Sequence, residues 1–111
     1  MTDLAGGAVP ILYTLDEHKN VVPVRTMQER LAAYRWYEEP GNRRVAYHET
    51  GDTSVSTVFL IVDHRFDSTI GPPIVFETMV FGGPMDGLQW RYCTWDEAAQ
   101  GHTKACAKVF A

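Results

Sequence analysis

Asp63-His64, Glu77, Arg91, His48 and His102 are the side chains of this 111-residue chain whose types and positions could do chemistry. A carboxylate beside an imidazole can orient a general base or hold a metal ion, and Asp63-His64 stands at the end of an apolar run. Adjacent strand residues point to opposite faces, so the two converge only if the strand ends between them. The ordinary alternative is that Asp63 caps the start of a loop and His64 is solvated. Glu77 lies inside a second apolar run. If the two runs pair as a hairpin, positions near 60 and 77 lie opposite one another, and Glu77 sits among Leu60, Val62 and Met79. A carboxylate there needs a partner or a raised pKa. Arg91, on the next strand, is the candidate partner, and a structural or dimer-interface Glu77–Arg91 pair is favoured over a catalytic acid.

The other chemistry-bearing residues carry weaker signals. The four histidines form no HxH or HExxH pattern. His102 falls on an apolar helix stripe, where a packed core histidine is the common case. A composite site of His48, His64 and Glu77 is geometrically open, but no spacing demands it, and no metal or cofactor is expected. Cys93 and Cys106 belong to no CxxC pair, and read as small buried side chains in a reducing compartment rather than a disulfide. The glycine-rich stretch from Gly82 to Gly87 lies between two strands and lacks a P-loop lysine, so it reads as a long turn. No GxSxG elbow is present. No catalytic residue is assigned, and the chain leans away from an enzyme. Trp36, Tyr37, Trp90, Tyr92 and Trp95 are candidates for a contact surface, against the alternative that they fill the space between helix and sheet. The binding candidates are therefore Asp63, His64, Glu77, Arg91, Trp90 and Trp95.

The elements that must position these residues follow from pattern. Residues 1–9 are small and polar and read as a loose tail, ahead of one domain over residues 10–111. Strands are expected at 11–15 and 21–24, joined by the turn cluster 16–20, with Pro23 placing the second at a sheet edge. Thr26 and Glu29 fit a capping box. The helix they open runs to about Glu38, with Met27, Leu31 and Tyr34 as its apolar face, and Pro40-Gly41 stops it. Strands follow at 43–49, 55–62, 74–81 and 88–93. The run 55–62 is apolar on both faces, with Val58, Leu60 and Val62 on one and Phe59 and Ile61 on the other, which predicts a central strand covered on both sides. Thr94 and Glu97 form a second capping box, and Ala98, His102, Ala105 and Val109, widened by Cys106, form the stripe of the last helix. The order β-β-α-β-β-β-β-α predicts an α+β fold, a mostly antiparallel sheet of five to six strands with two helices packed on one face. Covering the second face requires a curled sheet or a second copy, and a homodimer is the preferred solution.

Composition narrows the partners. Fourteen acidic and ten basic residues give a net charge of −4 and a pI near 5.4, which disfavours nucleic-acid phosphates as ligands. The basic group Arg30, Arg35, Arg43 and Arg44 reads as a solvated helix face and strand start. No signal peptide and no membrane-spanning run is read, so a cytoplasmic location in a bacterial host cell is expected, or the virion for a structural component.

The strings Val55-Ser56-Thr57-Val58-Phe59-Leu60, Asp63-His64, Pro72-Pro73, Phe76-Glu77-Thr78-Met79-Val80-Phe81-Gly82-Gly83, Arg91-Tyr92, and Glu97-Ala98 with Gly101-His102 resemble a family of small uncharacterised proteins of bacteriophage genomes and prophages. The resemblance covers the C-terminal half; residues 1–50 match more loosely, and Cys93 stands where a smaller or hydroxyl residue is expected. It implies a phage-related accessory protein, a virion component or a modulator of a host system, and it carries no catalytic or binding residues. Two readings result. One is a non-enzymatic accessory protein that binds a protein partner, with self-association as a homo-oligomer. The other is a small-molecule binder or small enzyme with its site at the strand ends near Asp63, His64 and Glu77, with His48 or His102.

Overall fold

A computed structural model describes residues 11–67 and 69–111; the tail expected over residues 1–9 lies outside them. The fold is α+β; the described residues form six antiparallel strands in two sheets and three helices, in the order β1 (Leu12–Leu15), β2 (Val21–Val24), α1 (Met27–Glu38), α2 (Pro40–Arg43), β3 (Arg44–Thr50), β4 (Thr53–Phe59), β5 (Phe76–Phe81), β6 (Gln89–Tyr92), α3 (Trp95–Val109). Strands β1 and β2 form a two-stranded sheet, and β3-β4-β5-β6 form a four-stranded sheet in sequence order. Both helices with capping boxes form them as read: Thr26 with Glu29, and Thr94 with Glu97. Each threonine oxygen accepts an amide of the first turn and each glutamate reaches back, so helix-start donors are satisfied locally.

Alternation sets the faces of the larger sheet. Val55, Thr57 and Phe59 of β4 and Phe76, Thr78 and Val80 of β5 are buried, and α3 packs across all four strands of this sheet. The stripe read for α3 is real: Ala98, His102 and Ala105 are its buried residues. Gly101 lets this helix approach β6, because a Cβ there would overlap the hydroxyl and ring of Tyr92. The core has two parts. The larger joins Leu12, Leu15 and Val24 of the hairpin to Phe59, Val75, Phe76 and Ala98; the smaller gathers Val55, Val80 and Ala105.

Three expectations are corrected. The strand expected over residues 55–62 ends at Phe59. Leu60 still receives no more than a single link to the sheet, its N–H donating to the Val75 carbonyl at 2.7 Å. Ile61 then takes a φ of 63°, and the Val62 N–H donates back to the Leu60 carbonyl at 2.7 Å. This is a γ-turn, strained for a β-branched residue. It aims the Ile61 carbonyl at the Tyr13 N–H, 2.8 Å away, and brings Val62 beside Leu12. The chain thus leaves the large sheet to hold the hairpin. Consequently the second face of β4 presents Ser54, Ser56 and Val58, all half-buried, and lacks the continuous apolarity from which a covering partner was inferred. Finally, α1 contacts the β1–β2 hairpin and α2, while α3 alone among the helices packs broadly on the four-stranded sheet. The face of α1 read as apolar and inward points outward: Met27, Leu31 and Tyr34 are 69%, 58% and 47% exposed. Ala33 is the buried residue of this helix, with Trp36 and Tyr37 packed beside it.

Candidate functional site

The residues expected at the strand ends divide among separate partners. Asp63 pairs with Arg65, Oδ2 to Nε 2.7 Å, with both side chains 12% exposed. Its Oδ1 accepts the N–H groups of Arg65 and Ile74 at 2.9 and 3.0 Å, and Arg65 also donates to the Gly71 carbonyl. Burial, the largest single influence on this carboxyl, raises its pKa; the bonds from Arg65 and Ile74 and the Arg65 charge together outweigh it and hold the carboxyl below its ordinary 3.8. Asp63 therefore organises the loop after β4. His64 is exposed, and its N–H donates to the Ile74 carbonyl at 2.8 Å. Glu77 accepts from Arg91 Nε at 3.1 Å, its register partner on β6, while Val58 rather than residue 60 faces it on β4. This pair lies on the sheet face away from α3. Asp63, His64 and Glu77 are thus engaged separately, in a loop clamp, a backbone bond and a cross-strand ion pair.

The densest polar cluster lies instead under α3, around His102, which is 3% exposed. Thr57 and Thr78 are opposite one another in the β4–β5 register, and their hydroxyls share a hydrogen bond of 2.6 Å. Thr57 Oγ1 lies 2.7 Å from His102 Nδ1, and the Tyr92 hydroxyl donates to Thr78 Oγ1 at 3.1 Å. On the other side of the ring, His102 Nε2 lies 2.8 Å from His48 Nδ1 and 3.5 Å from Cys106 Sγ. A continuous hydrogen-bonded chain therefore runs from Tyr92 through both threonines and His102 to exposed His48. Buried polar groups need such partners, and the chain supplies them. Burial first, and then the neighbouring His48, hold His102 below the ordinary 6.5 of imidazole, which favours the neutral ring. Burial pushes the Cys106 thiol up.

Sequence reading placed His102 on the right stripe and missed this cluster. Its available signal was the spacing His102-x-x-x-Cys106, one helical turn, which sets both donors on one face; the searched patterns HxH, HExxH and CxxC do not contain it. His48 joins them only through pairing of β3 with β4. The sequence offers no cue for the threonine pair, because cross-strand register depends on tertiary context.

The five aromatics proposed as a contact surface are all packed against the core. Trp36, Tyr37, Tyr92 and Trp95 border its larger part and Trp90 its smaller part. Trp36 meets Phe59 edge-on at 5.9 Å, and Trp95 meets Phe76 at 6.3 Å. Arg43 caps α1, donating to the Tyr37 carbonyl at 2.6 Å, and Arg44 lies over the Tyr47 ring. Cys93 is free and half-buried; burial and then the Glu97 charge raise its thiol pKa, opposite to what an activated nucleophile requires. An open groove of about 550 Å³ runs between β6 and α3, lined by Trp90, Tyr92, Lys104 and Lys108 among others.

No helix among the described residues is long and apolar enough to cross a membrane. No family model, curated protein or solved structure matches the chain.

Proposed function

We propose that this is a non-enzymatic accessory protein of phage type, a virion component or a modulator of a host system, that works by binding protein and self-associates through α1. The observation that supports this reading is the stripe Met27, Leu31 and Tyr34, three large apolar side chains left in solvent on one face of a well-capped helix. Ala33, Trp36 and Tyr37 already seat this helix on the core, so the stripe is a second apolar surface, and apolar side chains at i, i+4 and i+7 are the anchors by which helices dock on protein partners.

The occupant proposed is a second copy of the chain. Spacing of i, i+4 and i+7 is self-complementary when two α1 helices cross antiparallel about Leu31, with Met27 of each copy opposite Tyr34 of the other. Arg25, just before the N-cap Thr26, and Glu38, the last residue of α1, lie beyond the two ends of the stripe, on either side of Leu31. In that arrangement Arg25 of one copy meets Glu38 and Glu39 of the other, and the helix dipoles oppose favourably. Multi-angle light scattering over a concentration series tests it. The expected result is a mass rising to twice the monomer for wild type, and monomer throughout for Leu31→Lys, whose fold circular dichroism checks. Arg25→Glu weakens the dimer, and the double variant Arg25→Glu, Glu38→Arg restores it. A wild type that stays monomeric at every concentration, or a Leu31→Lys variant that still dimerises, overturns the assignment of this surface.

A further inference from the structure

His48, His102 and Cys106 present three metal-binding atoms of the borderline-to-soft class within 4.8 Å of one another. His102 and Cys106 stand one turn apart on α3, and His48 reaches them from edge strand β3. We propose that these three side chains form a binding site for a divalent ion of the zinc class. Zinc–nitrogen bonds of about 2.0–2.1 Å and a zinc–sulfur bond of about 2.3 Å put tetrahedral ligand atoms about 3.3–3.6 Å apart. The His102 Nε2 to Cys106 Sγ separation is 3.5 Å, already at that spacing, and the His48 Nδ1 to His102 Nε2 separation of 2.8 Å opens by about half an ångström to match. His48 is exposed at the sheet edge and is the ligand free to make that adjustment.

The surroundings support the same assignment. A metal-bound imidazole characteristically donates its other N–H to an oxygen, which fixes ring and tautomer. Thr57 Oγ1 stands 2.7 Å from His102 Nδ1 for that bond, and Thr57 is itself held by Thr78. With Nδ1–H donating to Thr57, the Nε2 lone pair faces His48 and Cys106. Binding replaces the hydrogen bond between the two imidazoles: the His48 proton moves from Nδ1 to Nε2, and the Cys106 thiol releases one proton to solvent as its sulfur bonds the ion. Two imidazoles and a thiolate suit zinc and discriminate against magnesium and calcium, which take oxygen ligands. Three protein ligands leave a fourth position, on the solvent side with His48, for water or an incoming donor.

The test is titration of the full-length protein with Co²⁺ as a spectroscopic stand-in, followed by displacement with Zn²⁺. The expected result is one-to-one binding with a thiolate-to-cobalt charge-transfer band that Zn²⁺ abolishes, and no response to Mg²⁺ or Ca²⁺. Cys106→Ser removes the band, and His48→Ala weakens Zn²⁺ at least tenfold; both positions are partly open to solvent, so the fold is retained. His64→Ala leaves binding unchanged. Absence of saturable binding by folded wild type, or binding that Cys106→Ser and His48→Ala leave intact, overturns the site. It uses no residue of α1, so this result and the self-association result stand or fall separately.

Discussion

Thr57, which the sequence did not single out, is the link that ties buried His102 to the sheet. Its hydroxyl is the bridge between Thr78 and His102 Nδ1. Thr57→Val keeps the shape and removes that bridge, leaving the imidazole nitrogen unpaired in a buried setting. The expected cost is about 1–3 kcal/mol of unfolding free energy, read by urea denaturation. A change near zero would mean that His102 is held by packing alone. Asp63 acts differently, through a loop. Because its carboxyl titrates below 3.8 when folded, the unfolded chain takes up the proton first as pH falls. Its contribution is therefore fully present at neutral pH and is lost as pH falls through the folded value. The gap in urea midpoint between wild type and Asp63→Asn is expected to be widest at neutral pH and to close in the acid range below 3.8.

Among the elements, α3 does the most to hold the molecule together, because it spans β3 to β6 and touches both parts of the core. Its start depends on Thr94, whose oxygen accepts the Glu97 N–H at 3.1 Å while Glu97 returns a bond to the Thr94 N–H at 3.2 Å. Thr94→Ala is expected to lower stability by about 1 kcal/mol, seen as a lower thermal midpoint. Both capping boxes, the six strands and their order were legible in the sequence, since they rest on short-range spacing and turn chemistry. The orientation of α1 was not. Its periodicity marks one apolar face correctly as a pattern, but nothing local says whether that face meets the chain's own sheet or another molecule. Trp36, from the far side of the helix, and Tyr37 took the inward position instead, with the Trp36 ring edge-on to Phe59.

Across the whole molecule, the turn at Ile61 determines the architecture. It ends β4 early, hands the Ile61 carbonyl to Tyr13 and ties the hairpin to the larger sheet. It also moves Leu60, Ile61 and Val62 off the sheet face where they had suggested a covering partner, so the case for self-association passes from that face to α1. By itself the sequence determined the α+β class, the order of the six strands and two longer helices though not the short α2, the helix starts, the stripe of α3 and the Glu77–Arg91 pairing, which follow from periodicity, caps and neighbouring strands. Only the tertiary structure decided that Asp63 is held by Arg65 and the Ile74 amide, that the candidate aromatics close the core, and that His48 meets His102 and Cys106. The physical reason is range. Periodicity fixes which face of an element a residue occupies, whereas convergence of residues 48, 57, 78, 92, 102 and 106 requires the register of four strands and the placement of α3 across them.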